Sequence, residues 1–211
     1  LKDRVPLKQI IRESYFTGLS IVPAALELQN WEFEAALRGR GGNIESAFFM
    51  RLALALSTVR DDFDMVLIDC PPQLSFLTIM GLAASTGMIT TVHPQMLDVH
   101  SMAQYLTLLA NMMADLREGG IDGGKAFLRY LVTRFEPNES AQQQVVGLLR
   151  HLFGTAVMTN SALKSAAISD AGLRKATIFE VSRSDYTRGT YDRALESQEA
   201  VGAEIEQIIR Q

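Results

Sequence analysis

The feature that most constrains the fold is an uninterrupted run of four apolar residues, Met65 to Ile68, held between Asp64 and Asp69 and closed by Cys70, Pro71 and Pro72. A strand with one wet face alternates apolar and polar residues. An unbroken run belongs to a strand covered on both faces, the usual condition of a parallel sheet. Short apolar runs recur along the chain, and residues 19–23, 65–69, 88–92, 127–133, 156–158 and 177–181 are the candidate strands.

Helical patterns separate them. Asn43 is placed to cap a helix that turns Ile44, Phe48, Leu52, Ala55, Leu56 and Val59 inward. Asp98 can cap the next, burying Val99, Met102, Leu106, Leu109, Met113 and Leu116, and Ser140 a third, with Val145, Leu149 and Leu152 inward. A last helix is expected over 190–209, with Tyr191, Leu195, Val201, Ile205 and Ile208 in one stripe. Strands alternating with helices imply an α/β fold: a doubly wound, mostly parallel sheet with helices on both faces.

Composition sets the outer limits. Of 211 residues, 47% are apolar and 21% charged, as in a chain able to bury a core. The net charge of −4 gives no bulk attraction to nucleic acid, which leaves a local basic patch as the only electrostatic route to it. One cysteine forms no internal disulfide, and no apolar run reaches the ~20 residues of a membrane-spanning helix, so the expectation is a cytoplasmic protein. The chain begins with Leu1, read as an internal start.

Two glycine-rich stretches invite a phosphate-binding reading. Gly119 to Lys125 satisfies G-x-x-x-x-G-K, but Ala126 follows where a magnesium-binding hydroxyl belongs. Its context is also reversed: a phosphate loop leaves a strand and opens a helix, whereas here a helix ends and a strand begins. It is read as a helix-to-strand loop. Residues 38–42, Arg-Gly-Arg-Gly-Gly, are read as an ordinary exposed loop.

Asp69 is the strongest candidate functional residue. In open α/β folds ligands bind beyond the carboxyl ends of the strands, and a carboxylate there can hold magnesium beside nucleotide phosphates, directly or through water. Taken alone, a strand ending in Asp is also an ordinary turn. The fuller pattern D-x-x-x-I-D-x-P-P, made by Asp64, Ile68, Asp69, Pro71 and Pro72, resembles the Walker B-like element of ParA/MinD-type ATPases.

Other segments follow in that family's order. They are the stretch from Gly18 to Leu28, the run Thr90-Thr-Val-His-Pro-Gln95 with Asp98, the run Leu131-Val-Thr-Arg-Phe-Glu-Pro137, and Ile168-Ser-Asp-Ala-Gly172. The runs HPQMLDVHSM and LVTRFEPN are most similar to the RepA partition proteins of repABC replicons. The resemblance implies a deviant Walker P-loop NTPase fold over 1–211 as one ATPase domain, with ATP and magnesium as cofactors. It implies Asp69 as catalytic, acting through magnesium-bound water, and Thr133, Arg134, Pro94 and Gln95 near the nucleotide. It implies Lys164, with Arg150 in the same neighbourhood, for non-specific DNA. The implied partners are a second copy in a homodimer, non-specific DNA and a ParB/RepB-like centromere-binding protein, with a nucleoid-associated location and no membrane.

The family's K-G-G-x-x-K-T/S phosphate loop has no match in this chain, and it is expected to lie before Leu1. Backbone N–H groups of that loop supply most of the phosphate grip, so this chain alone is expected to be inactive while the full-length protein hydrolyses ATP. From Lys125 to Gln211 there are 11 Lys and Arg against 10 Asp and Glu, so a phosphate-contacting patch is expected only in the dimer.

The remaining residues are read plainly. Cys70 is expected to be a packed thiol, His93, His100 and His151 have no metal-ligand spacing, and Met102, Met112 and Met113 are core. Two other functions stand beside the partition ATPase. A MinD-like membrane ATPase needs a basic terminal helix, but residues 192–211 carry two Arg against five acidic residues. A non-enzymatic ParA-like dimerisation or partner-binding module is the other. A nitrogenase iron-protein relative is discarded, because one cysteine cannot supply two cluster ligands.

Overall fold

Three parallel strands set the frame of the region that carries most of the candidate residues. The computed structural model describes residues 5–24, 27–28, 30, 32, 46–71, 73–121 and 124–210. In chain order the elements are α1 (Leu7–Ile10), β1 (Arg12–Glu13), β2 (Ser20–Ile21), α2 (Ser46–Phe49), α3 (Arg51–Ser57), α4 (Phe76–Ala84), β3 (Gly87–Val92), α5 (Met96–Glu118), β4 (Phe127–Phe135), α6 (Ser140–Phe153), β5 (Ala162–Leu163), α7 (Ala166–Leu173) and α8 (Arg188–Ile209). They fall into two compact units: residues 1–86 with 107–124, and residues 87–106 with 125–211.

The second unit holds the parallel sheet, in the order β3-β4-β5. Gly87 to Val92 pair in register with Phe127 to Val132, and Thr133 and Phe135 pair with Ala162 and Leu163. Successive side chains of a strand point to opposite faces, and here both faces are covered. Tyr130 and Val132 pack with Val99 and Met102 of α5 and Val145, Val146 and Leu149 of α6. Leu131, between them, packs with Val201 of α8, joined by Ile89, Ile205 and Ile208. Helices on both faces explain why Tyr130, Leu131 and Val132 follow one another without a polar break. Gly87 leaves room for the Phe127 ring, which would have to move aside for a Cβ at that position.

The first unit is built differently. β1 and β2 form a short antiparallel pair, Arg12 opposite Ile21 and Glu13 opposite Ser20. Ile79 of α4, Leu116 of α5 and Ile121 make its buried cluster, flanked by Phe49, Met50, Met112 and Met113. Gly120, at φ +84°, ends α5, and the Ile121 N–H donates back to the Leu116 carbonyl at 2.9 Å. The Gly119-to-Lys125 stretch is thus a helix-to-strand turn. Its residues 122 and 123, like Asn43, Ile44, Pro72 and the stretch 38–42, lie outside the described residues.

Several expectations are corrected. Residues 65–69 form no strand and pair with none among the described residues, and Met65, Val66 and Leu67 are 49%, 50% and 75% exposed. A doubly buried strand takes its order from neighbours on each side, and this run has none there to pair with. Strand 19–23 shrinks to Ser20–Ile21. Residues 156–158 make a single bridge, Tyr130 to Val157, and the third strand is Ala162–Leu163. Residues 177–181 are turns, apolar because Ile178 and Val181 pack on Tyr191 and Ala194 of α8. The helix expected over 43–59 is interrupted at Met50. Asp98 lies in the first turn of α5, and Ser140 is the first residue of α6, after Glu139. Leu152 is exposed.

Candidate functional site

The carboxyl ends of β3, β4 and β5 gather a set of polar groups over the closed apolar core. β3 runs out into His93, Pro94 and Gln95, whose turn is closed by the Gln95 N–H donating to the His93 carbonyl at 2.8 Å. His93 Nδ1 lies 3.1 Å from Asp98 Oδ2, so the Asp98 carboxylate engages the histidine at the head of α5. Pro94 is buried and Gln95 exposed.

β4 ends on a bulge. Between the pairs Thr133–Ala162 and Phe135–Leu163, β4 carries the additional residue Arg134. Arg134 has φ +54°, the left-handed region that costs an L-residue about 1–2 kcal/mol. A bulge re-aims a side chain, and strained backbone of this kind gathers at functional sites. Arg134 is exposed, and its guanidinium makes no hydrogen bond or ion pair among the described residues. Thr133, immediately before it, is partly buried.

The next residue, Glu136, is held from two sides. Its N–H donates to Gln142 Oε1 at 2.9 Å, and its own Oε1 accepts from Lys164 Nζ at 2.9 Å. Gln142 Nε2 approaches the same carboxylate oxygen at 3.5 Å. The hydrogen bond and charge of Lys164, helped by Gln142 and His93, hold the Glu136 carboxyl below its ordinary range against the opposing effect of burial. Gln142 is buried on the inward stripe of α6, beside Val145, Val146 and Leu149.

Between the heads of α5 and α6 lies a cleft of about 530 Å³, lined by Pro94, Gln95, Met96, Glu139, Ala141, Gln142, Gln144, Val145 and Leu148. Its lining mixes apolar side chains with the carboxamides of Gln95, Gln142 and Gln144 and the carboxylate of Glu139. Pro94 and Gln95 share this cleft, and Gln142 links its wall to the turn that follows Thr133 and Arg134.

The residues expected to touch DNA are both engaged within the chain. Lys164 is ion-paired to Glu136, and Arg150 donates to the Thr159 carbonyl at 3.1 Å. Asp69 belongs to the first unit, exposed, with no hydrogen bond or ion pair among the described residues. Cys70 is exposed as a residue, contrary to the packed thiol expected. Its sulfur nonetheless lies on α4, 2.9 Å from where a Cβ of Gly81 would stand. Partial burial, and then the Asp69 charge, push the Cys70 thiol pKa up, which disfavours the reactive thiolate.

Glu136 and Gln142 were not among the expected site residues. Gln142 carried a readable signal, a polar residue on an apolar helix stripe, whereas nothing about an arginine announces a positive φ.

Known proteins agree with this architecture. Residues 1–119 match a family model described as an AAA domain. "Putative replication protein A" of Sinorhizobium fredii is 46% identical over 209 residues, covering 98% of this chain and 51% of that protein. The chain spans about half the length of the curated relatives it matches. A solved "Partition Protein" superposes with TM-score 0.66 at 22% identity, over 95% of this chain and 50% of that one. The ATP complex of a point variant of Cyanothece McdA gives TM-score 0.69 at 17% identity, over 95% and 73%. The sheet covered on both faces, the family match and these relatives lead to one conclusion: the chain belongs to the ParA-type P-loop ATPase family of plasmid replicons.

Proposed function

We propose that this protein is a plasmid partition ATPase, which binds ATP and magnesium, dimerises, holds DNA without sequence preference and answers to a ParB/RepB-like centromere-binding partner. The observation that carries the reading is the strained Arg134 bulge at the carboxyl edge of the parallel sheet, close in sequence to residues lining the cleft of Pro94 and Gln95. That edge is where open α/β folds bind ligands. The McdA relative is described as an ATP complex, and another as a partition protein.

The residues of this chain fit part of such a ligand. Thr133 and Arg134 face the base end, with Pro94 and Gln95 along the cleft. Asp69, considered by itself in the first unit, makes no hydrogen bond or ion pair among the described residues, and a carboxylate of this kind is suited to hold magnesium through water, since magnesium keeps most of its water shell. Bound magnesium would neutralise phosphate charge, and Asp69 would orient the attacking water beside it. Among the described residues no glycine-rich turn opens a helix as a phosphate cradle requires. Arg150 is the proposed DNA contact, working in the dimer, while Lys164, implied with it by resemblance, is ion-paired to Glu136. The site of action is the nucleoid-associated cytoplasm; no helix among the described residues is long and apolar enough to cross a membrane.

The test is duplex DNA binding by the complete protein, at the length of its relatives, with ATP and magnesium, with ADP, and with neither. Binding only with ATP, lost in Asp69→Ala and falling steeply with salt, is the expected result. DNA binding indifferent to nucleotide would overturn the reading. Dimerisation without any nucleotide affinity would put the non-enzymatic module in its place.

A further inference from the structure

We propose that Gln142, Glu136 and Lys164 form a positioning relay that holds the Arg134 bulge in its left-handed conformation, with Lys164 serving as a strut. The inference rests on the reading that Thr133 and Arg134 face the nucleotide. A non-glycine residue in that region persists only where its surroundings over-determine it. Here the two residues after Arg134 are tied down in succession. The Phe135 carbonyl accepts from the Lys164 N–H at 3.0 Å, and the Glu136 N–H donates to the buried Gln142 side chain at 2.9 Å.

The Glu136 carboxylate then closes the loop by accepting from Lys164 Nζ at 2.9 Å, so Lys164, the residue after β5, and Gln142 of α6 hold the same turn. Gln142 also lines the cleft, and the relay therefore joins the cleft wall to the bulge. Lys164 is engaged in this network, and the relay assigns it a different task from the DNA contact implied by resemblance.

The two assignments separate experimentally in the complete protein. Hydrogen exchange of the peptide containing 133–137, without nucleotide, reads the relay itself. Affinity for a fluorescent ATP analogue with magnesium reads its consequence, and the salt dependence of DNA binding reads Lys164 as a phosphate contact. Glu136→Gln and Lys164→Gln should each speed exchange and weaken nucleotide binding by about two- to fivefold, the range of an exposed ion pair. The double variant should be no worse than either single, because both remove one interaction. Gln142→Met should cost about tenfold or more, since it leaves a backbone N–H unpaired. Lys164→Arg should restore wild-type behaviour, and Lys164→Gln should leave the salt slope unchanged.

Unchanged exchange in both Glu136→Gln and Gln142→Met overturns the relay. So does a Lys164→Gln salt slope reduced by about one with nucleotide affinity intact, which marks a DNA phosphate contact. If the wild-type protein binds no nucleotide while the exchange rates still respond as expected, the relay stands and the nucleotide reading falls.

Discussion

Two apolar runs meet different fates in this molecule. Residues 130–132 of β4 pair with β3 on one side, meet Val157 at a single parallel bridge on the other, and lie beneath helices on both faces, with Val132 wholly buried. Residues 65–68 pair with nothing among the described residues, and Leu67 is 75% exposed. Local propensity is much the same in both, so the order of a buried parallel strand lies in what flanks it. The same contrast divides the candidate residues. Those of the second unit stand on a closed core with measurable backbone geometry, whereas Asp69 follows an irregular segment.

The largest effect should separate the two runs directly. Leu149→Ala, beneath β4, is expected to cost about 2–5 kcal/mol in urea unfolding through the cavity it leaves. In these 211 residues by themselves, Val66→Ser should stay within about 0.5 kcal/mol, as an exposed substitution does. A Val66→Ser cost equal to that of Leu149→Ala would erase the distinction.

A smaller effect sharpens the view of the bulge within β4. Glycine in a strand is normally less stable than alanine by about 0.5–1 kcal/mol. At Arg134 the order should reverse, with Arg134→Gly more stable than Arg134→Ala by about 1 kcal/mol, because only glycine takes φ +54° without penalty. At Thr91, an exposed position of β3, the ordinary order should hold. The same sign at both positions, read from thermal melts of the four variants, would remove the strain argument.

How far the sequence led follows the same line. β3, most of β4 and the helices α5, α6 and α8 were legible, because their apolar periodicity and their burial coincide. Residues 177–181 misled, since a turn packed against the face of α8 calls for the same side chains as a strand. Asp98 and Ser140 had the right chemistry for caps, yet Asp98 is engaged by His93, and α6 opens one residue earlier than a Ser140 cap requires. Pro94, Gln95, Thr133 and Arg134 were named through resemblance, and they stand at the carboxyl ends of β3 and β4. Gln142 was readable only as a polar residue on an apolar helix stripe, and the part of Glu136 arises from a turn held by Gln142 and Lys164.

The smallest expected effect is a pH dependence. The folded pKa of Glu136 is depressed, so its contribution is present above the unfolded carboxyl pKa of about 4.3 and is lost as pH falls through the lower folded value. The melting difference between wild type and Glu136→Gln should be constant from pH 7 to pH 5 and close below about pH 4. A gap that closes instead between pH 7 and 5 would assign the titration to another group.

The most direct measurement of the central claim is hydrogen exchange on the complete protein with and without ATP and magnesium. The account predicts slowed exchange over 133–137 and 94–98, at the carboxyl edge of the sheet, when nucleotide is present. Nucleotide binding that leaves both segments unchanged would contradict it.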